Sequence, residues 1–250
     1  AEGLSSMRTL ARVARFCLPL AILCAIAAIA SGLGYRMGWW SLKWGFGILQ
    51  WAAYLAIVAT ALAIAGVVMA RRGNRGLASA VIALLVGIAT FAIPGMMLVT
   101  SKRVPAIHDV TTDTNDPPKF VAVLPLRSAS NARNSSEYGG PAVAEKQRQA
   151  YPVIVPLESK QSPSDAFARA LDVARAMGWD IVAAVPAEGR IEATDTTLLF
   201  GFKDDIVIRV APMAQGSRVD VRSESRIGGS DVGKNASRIA QFLDRMAKSS

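Results

Sequence analysis

Three uncharged apolar stretches, residues 16–34, 46–70 and 77–100, fill most of the first hundred positions. Each reaches the roughly 20 apolar residues a helix needs to cross the hydrocarbon core of a bilayer. Past residue 100 the chain changes character, carrying twenty basic and eighteen acidic residues where the first hundred carry eight and one. The expected organisation is a transmembrane three-helix bundle (1–100), a linker and long loop (101–150) and a water-soluble outer domain (151–250).

The formal net charge of +9 invites a nucleic-acid reading, which the placement of the charges excludes. The excess sits at the ends of the apolar stretches: Arg8, Arg12 and Arg15 before the first, and Arg71, Arg72 and Arg75 between the second and third. Arg36, Lys43, Lys102 and Arg103 occupy the opposite side. Basic residues favour cytoplasmic loops, so this six-to-four asymmetry predicts a cytoplasmic N-terminus and a soluble domain on the other side of the membrane. Met7 is expected as the natural start, and the first stretch as a retained span rather than a cleaved signal.

The tryptophans Trp39, Trp40, Trp44 and Trp51 crowd the first connection, where indole rings serve either as an interfacial belt or as a partner-binding patch. Cys17 and Cys24 lie seven residues apart in one predicted helix and cannot pair; the soluble part has no cysteine. The absence of Asp, Glu, Lys, Arg and His inside the three stretches argues against an ion path or transport site. Ser79, Ala83 and Gly87 recur at four-residue spacing and permit close helix contact, within the bundle or with another membrane protein. Pro94 is a candidate kink.

Pro117-Pro118, the polar run 128–136 and Gly139-Gly140 read as loop. From residue 151 the pattern becomes globular, beginning with a strand at 152–157. Ser162, Pro163 and Asp165 open a helix that Gly178 ends, with Phe167, Leu171, Ala174 and Met177 facing inward. Strands follow at 180–185, 190–200, 205–211 and 218–227, then a helix at 230–248 burying Ala236, Ile239, Phe242, Leu243 and Met246. This order predicts a two-layer α+β domain, an antiparallel sheet with two helices on one face. Turns near Lys203 and Gln215 would set Arg209 opposite both Thr196 and Asp220. Alternation puts Asp220, Arg222, Glu224 and Arg226 on the face away from the helices, either solvated or covered by residues 104–126.

The run Pro105-Ala106-Ile107-His108-Asp109-Val110-Thr111-Thr112-Asp113-Thr114-Asn115-Asp116-Pro117-Pro118 resembles the opening signature of the domain-of-unknown-function family 1499. Similar to it as well are Arg190-Ile191-Glu192-Ala193-Thr194, Gly201-Phe202-Lys203-Asp204-Asp205, Asp220-Val221-Arg222-Ser223, Ser225-Arg226 and Gly228-Gly229-Ser230-Asp231-Val232-Gly233-Lys234-Asn235, so that the resemblance covers about residues 104–246. It implies a bacterial envelope protein, or a plastid relative, without established activity. With the charge asymmetry, this gives a multi-pass protein of the bacterial inner membrane whose C-terminal domain is periplasmic.

Candidate binding residues are His108, Asp109, Asp113, Asp116, Arg209, Asp220, Arg222, Arg226, Ser230 and Asp231. The Arg and Asp residues of the sheet read either as register-fixing ion pairs or as a surface for an anionic ligand or partner. Imidazole and carboxylates suit metal binding and proton transfer, yet His108, Asp109, Asp113 and Asp116 match no calcium or zinc pattern, so neither a metal nor a cofactor is expected. Ser230 and Asp231 precede the last helix, where Asp231 serves as N-cap or the amides hold an anion with Arg226 and Lys234 nearby. Two functions follow. One is a non-enzymatic envelope protein that sits in the lipid bilayer and binds a partner protein or envelope component. The other is a membrane-bound hydrolase or metal-dependent enzyme using His108 and its acidic neighbours.

Overall fold

The computed structural model describes residues 16–70, 76–130 and 132–248. Met7 and the basic groups Arg8, Arg12, Arg15 and Arg71, Arg72, Arg75 lie outside the described residues. The chain divides into two compact units, Ala1–Val99 with Leu198–Gly201, and Thr100–Thr197 with Phe202–Ser250.

In the first unit, helices α1 (Cys17–Arg36), α2 (Leu42–Ala70) and α3 (Leu77–Ser101) are long and apolar enough to cross a membrane. Small side chains line their contacts, because close backbone approach replaces the hydrophobic driving force that lipid cannot supply. Cys17, Ala21, Ala59, Ala63 and Ala83 form one buried cluster. A Cβ on Gly87 would stand 2.3 Å from Thr60 Oγ1 and 3.3 Å from the Ala56 carbonyl, so α3 rests directly on α2 there. Ala83 and Gly87 are thus used inside the bundle, with Ala80 buried and Ser79 exposed. Cys17 and Cys24 are free thiols, and α3 continues through Pro94. Trp40 donates its indole N–H to the Ser31 carbonyl at 3.0 Å, while Trp39, Trp44 and Trp51 are exposed.

The second unit runs β1 (Asp109–Thr111), α4 (Leu124–Ala129), α5 (Gly140–Ala150), β2 (Leu157–Ser159), α6 (Pro163–Ala176), β3 (Asp180–Val185), β4 (Arg190–Thr196), β5 (Lys203–Pro212), β6 (Ser217–Ser225) and α7 (Lys234–Ala247). The sheet is antiparallel in the order β1-β6-β5-β4-β3, and β2 also pairs with β6. The short β1 and β2 share one edge of β6, β2 opposite residues 217–219 and β1 opposite 222–224. Helices α6 and α7 cover one face, as the alternation requires. Phe167, Ala170, Val173, Ile239, Phe242 and Met246 pack on Ile191, Ile206, Ile208, Val219 and Val221 in a single core. Trp179 stacks on Phe242 with ring centroids 5.5 Å apart. Ser162 caps α6 by accepting the Asp165 amide, and Gly178 closes it at φ +78°.

Three local expectations differ. The strand expected at 152–157 is instead the three-residue Leu157–Ser159. Residues 101–150, read as loop, hold β1, α4 and α5; their apolar residues are too few to show a periodicity, and their order comes from polar contacts described below. Arg209 pairs with Asp220 as expected but faces Arg190 rather than Thr196, which faces Lys203. The hairpin closes earlier than its residues suggest, at Thr197, whose amide donates to the Phe202 carbonyl at 2.8 Å.

Candidate functional site

The sheet face away from the helices is polar by sequence yet buried. Residues 112–130 and 132–138 cover it, and Asp205, Glu192 and Glu224 are 0% exposed. A buried charge is tolerable only when paired and hydrogen-bonded, so the arrangement of partners decides what this face can do. Asp205 accepts from Arg226 at 2.9 and 2.8 Å, from Arg127 at 2.9 Å and from the Thr194 hydroxyl at 2.8 Å. Arg127, on α4, also reaches Glu224 at 2.9 Å. Asp109, on β1, forms a two-pronged pair with Arg222 at 3.0 and 2.8 Å. Glu192 accepts the Val121, Ala122 and Val123 amides and pairs with Arg190, tying the start of α4 to the sheet. Gln147 of α5 accepts the Thr111 amide at 2.9 Å and donates to its carbonyl at 2.7 Å, standing in for a neighbouring strand.

A second cluster lies along the same face. Arg209 reaches Asp116 at 2.8 Å, Asp220 at 3.0 Å and Asp113 at 3.3 Å, and Arg218 reaches Asp113 at 2.7 Å and Asp220 at 3.1 Å. Burial alone would raise the Asp113 carboxyl, but the Asp116 and Asn115 amides and the charges of Arg218 and Arg209 hold it below its usual range. On the helix side, Arg238 of α7 pairs with Asp195 and Asp204, both at 2.6 Å, and Asn235 accepts from Ser223 at 2.8 Å.

Glu224 differs from the rest. Its Oε1 is held by Arg127, while Oε2 is buried without a hydrogen bond and stands 3.7 Å from Arg222. Burial, with Asp109 nearby, pushes its carboxyl up to about 8 against the pull of Arg127 and Arg222. Burial likewise raises Asp109 despite its pairing with Arg222.

The candidate residues thus separate. Asp113, Asp116, Arg209 and Asp220 come together; Asp109 joins Arg222, and Arg226 joins Asp205 deep in the sheet rather than approaching Ser230 and Asp231. Asp231 accepts the Gly233 amide at 2.9 Å and the Asn235 amide at 2.7 Å, so its own carboxylate occupies the α7 N-terminus; Ser230 accepts the Val232 amide. His108 contributes its carbonyl, to the Ser225 amide and the Asn235 side chain, and its imidazole makes no hydrogen bond among the described residues. No group of three His, Cys, Asp or Glu among the described residues is placed to hold a metal. Sequence reasoning missed Arg127, Asp205, Glu192 and Arg238, although Glu192 and Asp205 stand inside the runs that carry the family resemblance.

Above Arg222 a cleft of about 510 Å³ opens between residues 114–119 and the start of α5. Its lining includes Thr114, Asn115, Lys119, Tyr138, Arg148 and the 2%-exposed Arg222. The Arg222 guanidinium lies 4.8 Å from the Phe120 ring centroid and 5.7 Å from that of Tyr138. The Tyr138 hydroxyl is buried without a hydrogen-bond partner, and burial, with Asp109 close by, pushes it up to about 12, so it remains a donor at neutral pH.

No curated protein matches this chain. Residues 109–246, which carry β1, the polar layer and the whole sheet, match a family described as a protein of unknown function, DUF1499. This match, over residues 109–246 and so over more than half of the chain, places the chain in the DUF1499 family.

Proposed function

We propose that this chain is a non-enzymatic, membrane-anchored protein of the bacterial inner membrane whose periplasmic α+β domain binds a partner protein or another envelope component. The observation that carries this reading is how the polar groups are used: the signature carboxylates Asp109, Asp113, Asp205 and Asp220 are each held by arginine. Carboxylates so neutralised serve as structure and not as proton carriers or nucleophiles. Asp113 and Asp116 are held by Arg209, and the His108 imidazole makes no hydrogen bond to either, whereas a hydrolytic arrangement would join them. Spans without buried charge supply an anchor and no transport path.

The test is co-purification in mild detergent after cross-linking from the exposed Trp39, Trp44 and Trp51 surface and from the outer domain. A specific membrane or envelope partner is the expected result. A preparation that recovers none, hydrolyses an ester or phosphate substrate and loses that activity in His108→Ala would overturn it. Reporter fusions after Ser250 and within residues 71–75 should be active outside and inside the cytoplasm respectively, and the opposite pattern would overturn the topology.

A further inference from the structure

We propose that the cleft over Arg222 is a binding site for a small oxyanion, a phosphate- or carboxylate-bearing organic molecule of about sugar size, held by Lys119, Arg148 and the N-terminus of α5. The inference rests on the non-enzymatic binding reading and names its ligand class. Four observations converge on this cleft. Its volume of about 510 Å³ falls in the range of small-ligand sites. Lys119 is exposed on its rim and makes no ion pair or hydrogen bond among the described residues. The lining of the cleft holds three cationic side chains, Lys119, Arg148 and Arg222, against one carboxylate, Glu137.

The fourth is α5 itself. It is eleven residues long and opens into the cleft at Gly140 and Pro141; Gly139 brings no side-chain cap, and its first turn holds no acid. Its amides and dipole therefore favour negative charge at this point. This end differs from α7, where the Asp231 carboxylate takes the corresponding amides. Arg148 gives one nitrogen to Glu145 at 3.0 Å and another to the Thr114 hydroxyl at 3.2 Å, leaving further N–H groups of its fork for a ligand. Arg222 is committed to Asp109 and the Ser136 carbonyl and acts as the floor that positions Tyr138. Binding is a matter of noncovalent pairing, with no bond made or broken.

The test is isothermal titration calorimetry on the intact chain in a neutral detergent at low salt, with glucose 1-phosphate, inorganic phosphate and glucose as probes. Glucose 1-phosphate should bind at least tenfold tighter than glucose. Lys119→Ala and Arg148→Gln should each weaken it about tenfold, and Lys146→Ala, on the exposed side of α5, not at all. Unchanged melting of each variant keeps the comparison free of folding effects. Equal binding of glucose, no binding of either phosphate probe, or parent-like affinity in the Lys119 and Arg148 variants would each overturn the site. Displacement of glucose 1-phosphate by phosphatidylglycerol-doped but not phosphatidylcholine-doped micelles would assign the anion to a lipid headgroup; no displacement by either would assign it to a free molecule. Release of inorganic phosphate from bound glucose 1-phosphate would sink the non-enzymatic reading while leaving the site in place, whereas a cross-linked partner without phosphate binding would sink the site alone.

Discussion

Glu224→Gln isolates the one buried carboxyl among the described residues whose second oxygen lacks a hydrogen bond. In the folded domain its carboxyl rises from the ordinary 4.5 to about 8, through burial first and the neighbouring Asp109 second. The folded state therefore holds this proton more tightly than the unfolded chain does. Its contribution to stability is complete below pH 4.5 and is lost as pH rises to about 8. At about 1.4 kcal/mol per pH unit, that window corresponds to roughly 4 to 5 kcal/mol. Glutamine is neutral throughout and can still meet Arg127 with its carbonyl oxygen. At pH 5 parent and variant should agree within about 1 kcal/mol, and by pH 9 the variant should be the more stable, by up to about 4 kcal/mol. Urea denaturation from pH 5 to 9, read by amide exchange of residues 203–225, measures this difference. A difference that stays flat across the range, or a variant weaker by about 3 to 5 kcal/mol at every pH, would show that Glu224 is ionised and paired throughout, and would refute the reasoning.

Other perturbations probe the same layer. Arg209→Met alone should cost about 1 to 2 kcal/mol, because Arg218 remains at 3.1 Å from Asp220; adding Arg218→Met should cost more than the two single changes together, as a double-mutant cycle in urea would show. Asp205→Asn strips the shared partner from Arg127 and Arg226 and should destabilise the domain by about 3 to 5 kcal/mol in the same assay. Gly189→Ala should cost about 2 kcal/mol or more, seen as a lowered melting temperature, since Gly189 sits at φ +60° and an added Cβ would stand 2.0 Å from the Val210 carbonyl oxygen.

The helices and the central hairpins were legible because burial there follows a period: Ile206, Ile208 and Val210 alternate along β5, and Ile239, Phe242 and Met246 recur along α7. The covering layer was not, because it is assembled from polar groups between distant residues. Arg127 reads as a solvated side chain in a loop until Asp205, 78 positions later, is known to stand 2.9 Å away. Charge alternation did place Asp220, Arg222 and Glu224 on a common face; it could not say that Val121, Ala122 and Val123 would close over Glu192. The cleft was hidden for the same reason, since Lys119, Tyr138 and Arg148 come from three segments without shared periodicity.

The shared edge of β6 bears on the order in which this domain can be made. Residues 109–111 and 157–159 are synthesised well before the strand they join, and Asp109 waits through 113 positions for Arg222. During synthesis the early carboxylates must stay hydrated until the last hairpin arrives, since local contacts give them no cation to hold. Closure of the polar layer is thus a late event that depends on β6, and a chain stopped before Ser217 would lack the strand to which β1 and β2 add.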